Sequence, residues 1–391
     1  MTDFASEPRT KDEKETEVLS IELIDRMTDF GMLKDEWNEL VGQRSSKSLF
    51  LTWEWLYTWW KHLRDDRKLF IVLVRMNQRL IAVAPLAVRP MRFRRLLPGR
   101  VLEFLGSGQV GSDYLALILR SGFEKQGIKA ICSCIGQQKL PLEFNRVESN
   151  SAQNSALRAE LETRGWQTFS TTVERCPYIR FDGKSWEDYL ATLGSSHRYN
   201  FRRRLRNLER DFKFRFEKAT DPRRCEQFLN QLVELHNLRW RERGGSDALN
   251  TQDLVDFHHD MSQLALSNGW LRLYVITLDG NAVAALYGFQ IDRIFYFYQS
   301  GIDPAYSRYS VGLVIMGLAI QAAIADGATQ YDFLHGEENY KFQWADECRD
   351  LVRLDCFPPH IAGAIFRQIV QLRWGIKRLY HRCPGMTHSV K

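Results

Sequence analysis

The sequence predicts an α/β fold made of two related halves, each a mixed, mainly antiparallel sheet flanked by helices. Three observations predict it. Hydrophobic residues make up 44% of 391 residues, enough for two cores and too long a chain for one ordinary domain. Runs with strand character alternate with runs at helical spacing. Residues 69–86 (LFIVLVRMNQRLIAVAPL) also lie over 271–288 (LRLYVITLDGNAVAALYG) without a gap, strand on strand and turn on turn.

The elements follow in order. Residues 1–18 are polar, carry no apolar signal core, and are expected to be disordered. An aromatic-rich helix spans 51–63, then a hairpin joins 69–75 to 80–88. Further strands are expected at 100–106 and 113–119. The chain turns near 181–186, where RFDGKSW reads as a linker. Helices follow at 195–214 and 222–241, then strands at 271–276, 282–291 and 294–302. A buried helix from about 312 to 326 stops at Gly327, and a strand covers 330–336. A basic amphipathic helix is expected from 361. This gives a first half at 19–182, a second half at 183–360 and a tail at 361–391.

Composition excludes several function classes. The net charge of +6 is too modest to point to nucleic acid by itself. Seven cysteines at scattered positions, with no C-x-x-C, argue against a metal site and for a reduced, cytoplasmic setting. No run of about 18 apolar residues suggests a membrane span. The helix over 361–382 carries Arg367, Arg373, Lys377, Arg378 and Arg382 beside regularly spaced Ile and Leu. It can lie on an acidic inner-membrane surface or dock on its own domain.

The second half carries the chemistry. A meander, a buried helix and a returning strand make 294–302 and 330–336 parallel neighbours. Where they splay, an extended ligand can enter and meet the start of the intervening helix. Ser300 and Gly301 end one strand, and Arg308, Ser310, Val311 and Gly312 open the helix. That backbone is either a cradle for an anion such as pyrophosphate or an ordinary capped helix start with a packing glycine.

The residues SGIDPAYSRYSVG (300–312), YDFLHGEENYK (331–341) and HNLRW (236–240) resemble the CelD-like acetyltransferases associated with cellulose and exopolysaccharide biosynthesis. That family is a branch of the GNAT superfamily, related to the FemAB peptidyltransferases. The matching positions are Gly301, Asp303, Pro304, Ser310, Gly312, Asp332, Phe333, Gly336, Glu338, Tyr340 and Lys341. The resemblance covers about 185–345. It implies two tandem GNAT-like halves and transfer from acetyl-CoA or another acyl-CoA to a small-molecule or glycan acceptor of envelope polysaccharide synthesis. The phosphate loop is poorer in Gly and Arg than is usual in the superfamily. The FemAB kinship therefore implies an alternative, transfer from aminoacyl-tRNA; a third is a non-catalytic scaffold of a polysaccharide assembly machine.

Such a reaction needs a base for the acceptor's proton and a donor for the departing thiolate. His236, His335 and Glu338 are candidates for the first task, and Tyr340 for the second. Asp303 is a further acid/base option, or a turn residue. Asp332 stands three residues before His335, on the opposite face of a regular strand. Lys341, Asp332 and Trp240 are expected to hold the acceptor. Arg198, Arg202 and Arg206 share a helix face at i, i+4, i+8 and are expected to line the same groove as Lys341, or else to be a solvated face.

Overall fold

The computed structural model describes residues 18–43, 48–93, 97–241, 249, 251–361, 363, 364 and 366–368. The expected disordered start and most of the expected C-terminal helix lie outside these residues, as does the side chain of Trp240.

The first half runs β1 (Leu19–Ile24), α1 (Met27–Met32), α2 (Lys34–Gly42), α3 (Trp53–Leu63), β2 (Lys68–Met76), β3 (Arg79–Phe93) and β4 (Leu97–Phe104). It continues with β5 (Ile118–Leu119), α4 (Glu124–Gln138), β6 (Leu142–Glu148), α5 (Ala152–Thr163) and β7 (Gln167–Arg180). The second half runs α6 (Trp186–Thr192), α7 (Ser195–Asp211), β8 (Phe214–Lys218), α8 (Pro222–Arg241), α9 (Gln252–Ser267), β9 (Leu271–Leu278), β10 (Asn281–Ile291) and β11 (Ile294–Ile302). It ends with α10 (Val311–Ala325), β12 (Gln330–Asp332) and β13 (Glu347–Phe357).

The gapless match between the halves is reproduced in backbone detail. The hairpin between β2 and β3 turns on Asn77 and Gln78, both left-handed, and that between β9 and β10 turns on Asp279 and Gly280, also both left-handed. A pair of left-handed residues is what a two-residue hairpin needs to match strand twist. Both ladders then skip one residue at the same place. Val74 faces Ala82 and Arg75 faces Leu80, leaving out Ile81. Ile276 faces Ala284 and Thr277 faces Ala282, leaving out Val283. Ile81 and Val283 are partners in the sequence alignment, so turn and bulge are both duplicated.

All strands join one sheet in the order β1-β2-β3-β4-β6-β13-β7-β12-β11-β10-β9-β8, with β5 on β3. Each half sends its last strand into the other. β7 pairs with β12 of the second half, Asp332 facing Tyr178. β13 pairs with β6 of the first half, Leu354 facing Phe144. The two exchanged strands then run antiparallel from Glu347↔Tyr178 to Phe357↔Gln167 and form the seam. The turn after β7, with Asp182 and Gly183 at positive φ, leads into α6 through a capping box between Ser185 and Asp188.

The aromatic helix α3, capped by Thr52 on the Trp55 N–H, ties the halves together on one side. Trp55 packs edge-on to Phe257 of α9, and its indole N–H donates to Ser112 Oγ at 2.9 Å. Two expected strands are shorter than their apolar runs. Of 113–119 only Ile118–Leu119 pairs, and of 330–336 only Gln330–Asp332. In the second case Leu334 turns left-handed (φ 55) and ends the ladder. Both interruptions are where the two halves face each other across the site.

Candidate active site

β11 and β12 pair in parallel at Ile294↔Gln330, Phe295↔Tyr331 and Tyr296↔Asp332, then part. The gap opens on two cavities. A cleft of about 540 Å³ is walled by Phe297–Gln299 and Phe333–His335 of the second half, and by Gly108–Gly111 and Arg146 of the first. A smaller pocket of about 200 Å³ lies by the start of α10, between Ser300, Gly312, Met316 and Trp344. Tyr340 lines both, so its side chain stands between the two.

His335 is held in the cleft by Asp113, a residue of the first half. Its backbone N–H donates to Asp113 Oδ2 at 2.8 Å, and its ring Nδ1 lies 2.9 Å from the same oxygen. Asp113 is fully buried. Burial alone would raise its pKa, but the His335 ring and N–H and the Arg146 guanidinium outweigh burial and hold it below the usual carboxylate range. A carboxylate at Asp113 can accept a proton carried on Nδ1, and in that tautomer of the neutral ring the free lone pair is on Nε2. Lys341 fixes the same loop from below. It is buried, donates to the His335 carbonyl at 2.6 Å and pairs with Glu338 at 3.0 Å. Its ammonium ties the histidine loop together, and Lys341 lines the cleft as expected of it.

Asp332 points the other way. Its carboxylate accepts from Tyr114 OH at 2.8 Å, from the Leu334 N–H at 2.8 Å and from Arg349 at 3.1 Å. It lines a separate cavity of about 700 Å³ and is absent from the cleft wall, so the acceptor role expected for it is not supported by its position. Burial first, against the pull of Arg349, raises its pKa to about 6.

The remaining expected residues divide. Glu338 and Tyr340 line the cleft with His335. His236 is buried on α8, and its backbone lies so close to β11 that a Cβ at Gly301 would come within 2.6 Å of the His236 nitrogen. His236 lines none of the cavities described here, and Gly301 is a packing glycine in this position. Asp303 caps the short turn after β11 through the Ala305 N–H, with Pro304 next to it. Arg308 is exposed and lies on Tyr309. Ser310 is left-handed (φ 58) and makes no side-chain cap to α10. Val311 is buried. At Gly312 a Cβ would meet only Ile302, at an ordinary 3.6 Å. Among the described residues no neighbour demands glycine there.

The arginine row does not reach the cleft. Arg198 donates to the carbonyls of Ala191 and Leu193, Arg202 pairs with Glu187, and Arg206 is exposed. None of the three lines the cleft with Lys341. The row faces outward because the opposite side of α7 is occupied by buried Phe201 and Leu208.

Sequence reasoning missed Asp113, Arg146, His258 and the loop 106–111. The loop's glycines, in Gly106-Ser107-Gly108-Gln109-Val110-Gly111, were the available signal; all three are at positive φ. His258 lines the cleft, and burial lowers its pKa to about 3, so it stays neutral. Its Nδ1 is buried without a partner among the described residues. No group of metal-ligating side chains occurs among the described residues, and no helix there is long and apolar enough to cross a membrane.

No curated protein matches this chain in sequence. Solved structures do match in fold. FemX superposes with a TM-score of 0.61 at 11% identity, over 82% of this chain and 95% of that one. A conserved protein of unknown function from Bacteroides thetaiotaomicron gives 0.55 at 10% identity, over 86% and 99%. The L-PGS of Bacillus licheniformis gives 0.51 at 12% identity, over 86% and 96%. Residues 195–342 match the family described as acetyltransferase (GNAT) domain, and the chain shares its fold with these solved structures.

Proposed function

We propose that the second half moves an acyl group from acetyl-CoA or another acyl-CoA to a hydroxyl or amine of an envelope or exopolysaccharide intermediate. The Asp113–His335 pair at the parted strands carries this reading. In the proposed step His335 Nε2 takes the acceptor's proton as its oxygen or nitrogen attacks the thioester carbon. The tetrahedral intermediate collapses, the C–S bond breaks, and the thiolate takes a proton from the Tyr340 hydroxyl; His335 then releases its proton to solvent and Tyr340 regains one, which resets both groups. The pocket beside Gly312 would receive the pantetheine arm and pyrophosphate. The reading keeps the protein in the cytoplasm, with 361–382 as its contact to the inner membrane.

The test is release of free CoA from acetyl-CoA by the full chain, with His335→Asn as control. Loss of general acid–base catalysis costs about a hundred- to ten-thousand-fold. Equal turnover by the two proteins would sink the assignment. A second reading, aminoacyl transfer from tRNA, is favoured by the outward arginines of α7, which present Arg202 and Arg206 to solvent. Stabilisation of the chain by charged tRNA, and not by acetyl-CoA, would favour it; stabilisation by neither would leave the scaffold reading.

A further inference from the structure

Arg146 stands out among the cations of this molecule. It lies between the main cleft and a side pocket of about 250 Å³ formed where β4 and β6 part after Leu102↔Leu142. Its backbone is left-handed (φ 54), a conformation that is unfavourable for a non-glycine residue. It occupies in the first half the place that Leu334, also left-handed, occupies in the second. The register shows this: Gln330 faces Arg180 and Leu142 faces Cys356 across the two exchanged strands, and each left-handed residue follows four positions on. Leu334 aims an apolar side chain; at the matching position the first half aims a guanidinium.

The Nη1 of that guanidinium is buried and has no hydrogen-bond partner among the described residues. Its one ionic neighbour, Asp113 Oδ1, is 3.7 Å away, beyond hydrogen-bond reach, and the other oxygen of Asp113 is committed to His335. A guanidinium has five donors in a planar fork suited to carboxylate or phosphate. The space beside it is kept open by Gly111. A Cβ there would sit 3.5 Å from Arg146 Nη1 and 3.2 Å from His335 Cε1, so both side chains border one small volume. The other charges nearby limit where an anion can sit. Glu174 lines the side pocket and repels it there. Glu338, in the main cleft, is paired with Lys341.

We propose that Arg146 is an oxyanion clamp of the acceptor site, so that the acceptor carries a carboxylate or phosphate close to the atom that is acylated. The clamp belongs to the first half and the proposed base to the second, so the acceptor is gripped across the seam. The inference rests on the acyl-transfer reading for the word acceptor, but binding of an anion at Arg146 is measured without acyl transfer and can fail or succeed independently of it.

The experiment titrates the full chain with acetate and with inorganic phosphate, against chloride at equal ionic strength, by calorimetry and thermal unfolding. Wild type should bind at least one oxyanion, and which one identifies the acceptor's group. Arg146→Gln should weaken that binding about tenfold or more, the loss expected for charge-assisted hydrogen bonds. Arg146→Lys, which keeps the charge and loses the fork, should fall between the two and covers the case in which Arg146→Gln does not fold. Arg26→Gln, at an exposed arginine paired with Asp29, should bind as wild type does. Failure of both oxyanions to bind better than chloride, or binding that survives unchanged in the Arg146 variants, would overturn the clamp.

Discussion

One oxygen of the Asp113 carboxylate holds His335 twice, through the backbone N–H at 2.8 Å and the ring Nδ1 at 2.9 Å, across 222 residues of sequence. A backbone bond fixes the loop and a ring bond fixes the tautomer, so one buried anion sets both. Asp113→Asn keeps the shape and removes the anion. Its amide can donate to Nδ1, which moves the proton to Nε2 and leaves no lone pair for the acceptor's proton. Turnover should fall on the order of a hundredfold or more, with little change in donor KM. A proportional rise in donor KM with kcat unchanged would assign the pair to structure alone.

The two buried carboxylates give opposite pH dependences of stability. Asp113 is depressed below its unfolded value, so its contribution is full above that value and is lost as the pH falls through the folded pKa. Asp332 is raised from 3.8 to about 6. Between these values the folded state binds the proton more tightly than the unfolded chain, so stability falls as the pH climbs from about 4 to 6. The drop is on the order of 2–3 kcal/mol. Asp332→Asn should flatten this window in urea titrations at several pH values while leaving the acid limb that Asp113 governs. A slope between pH 4 and 6 that persists in the variant would show that another group carries it.

Gly312→Glu tests the cofactor pocket. The β-carbon meets only Ile302 at an ordinary distance, so the fold should tolerate it. The added carboxylate at the start of α10 should repel pyrophosphate and block close approach of the donor. The expected result is lost acetyl-CoA binding at nearly unchanged thermal stability. Unaltered affinity for acetyl-CoA would place the pyrophosphate elsewhere.

The second half was legible in the sequence because its motifs are local. Turn residues, a buried helix stopped by Gly327 and the strand and loop from Gln330 to Lys341 can be read in a short window, and Glu338, Tyr340 and His335 do meet in the cleft. Individual roles within these motifs were harder to read. Gly301 fits a close helix–strand contact, and Lys341 is occupied by His335 and Glu338. Both conditions arise only from packing. The contribution of the first half was not legible, because Asp113 and Arg146 act through partners that sequence distance hides. The arginine row shows the reverse error. Its i, i+4, i+8 spacing fixes a common face but not its direction, which Phe201 and Leu208 decide by burying the other side of α7. Arg202 and Glu187 form an exposed pair, of a kind worth about 0–1 kcal/mol.

The exchanged strands predict that neither half folds alone. A fragment ending at residue 182 would present β6 without β13 beside it, and would carry β7 with no partner on either side. A fragment starting at 183 would leave β12 without β7 and carry β13 as a loose strand. Each would expose unpaired strand edges, and the core that α3 and α9 share around Trp55 and Phe257 would open to water in both. Produced separately, 1–182 and 183–391 should lack cooperative thermal unfolding and should aggregate. Produced together, they should recover a single transition, because the strands that each fragment lacks are supplied by the other. His335 depends on Asp113, so oxyanion binding and any acyl transfer should return only in the mixture. A cooperative unfolding transition from 183–391 alone would show that the second half closes its sheet without β7, and that the seam is a docking surface between two independent domains.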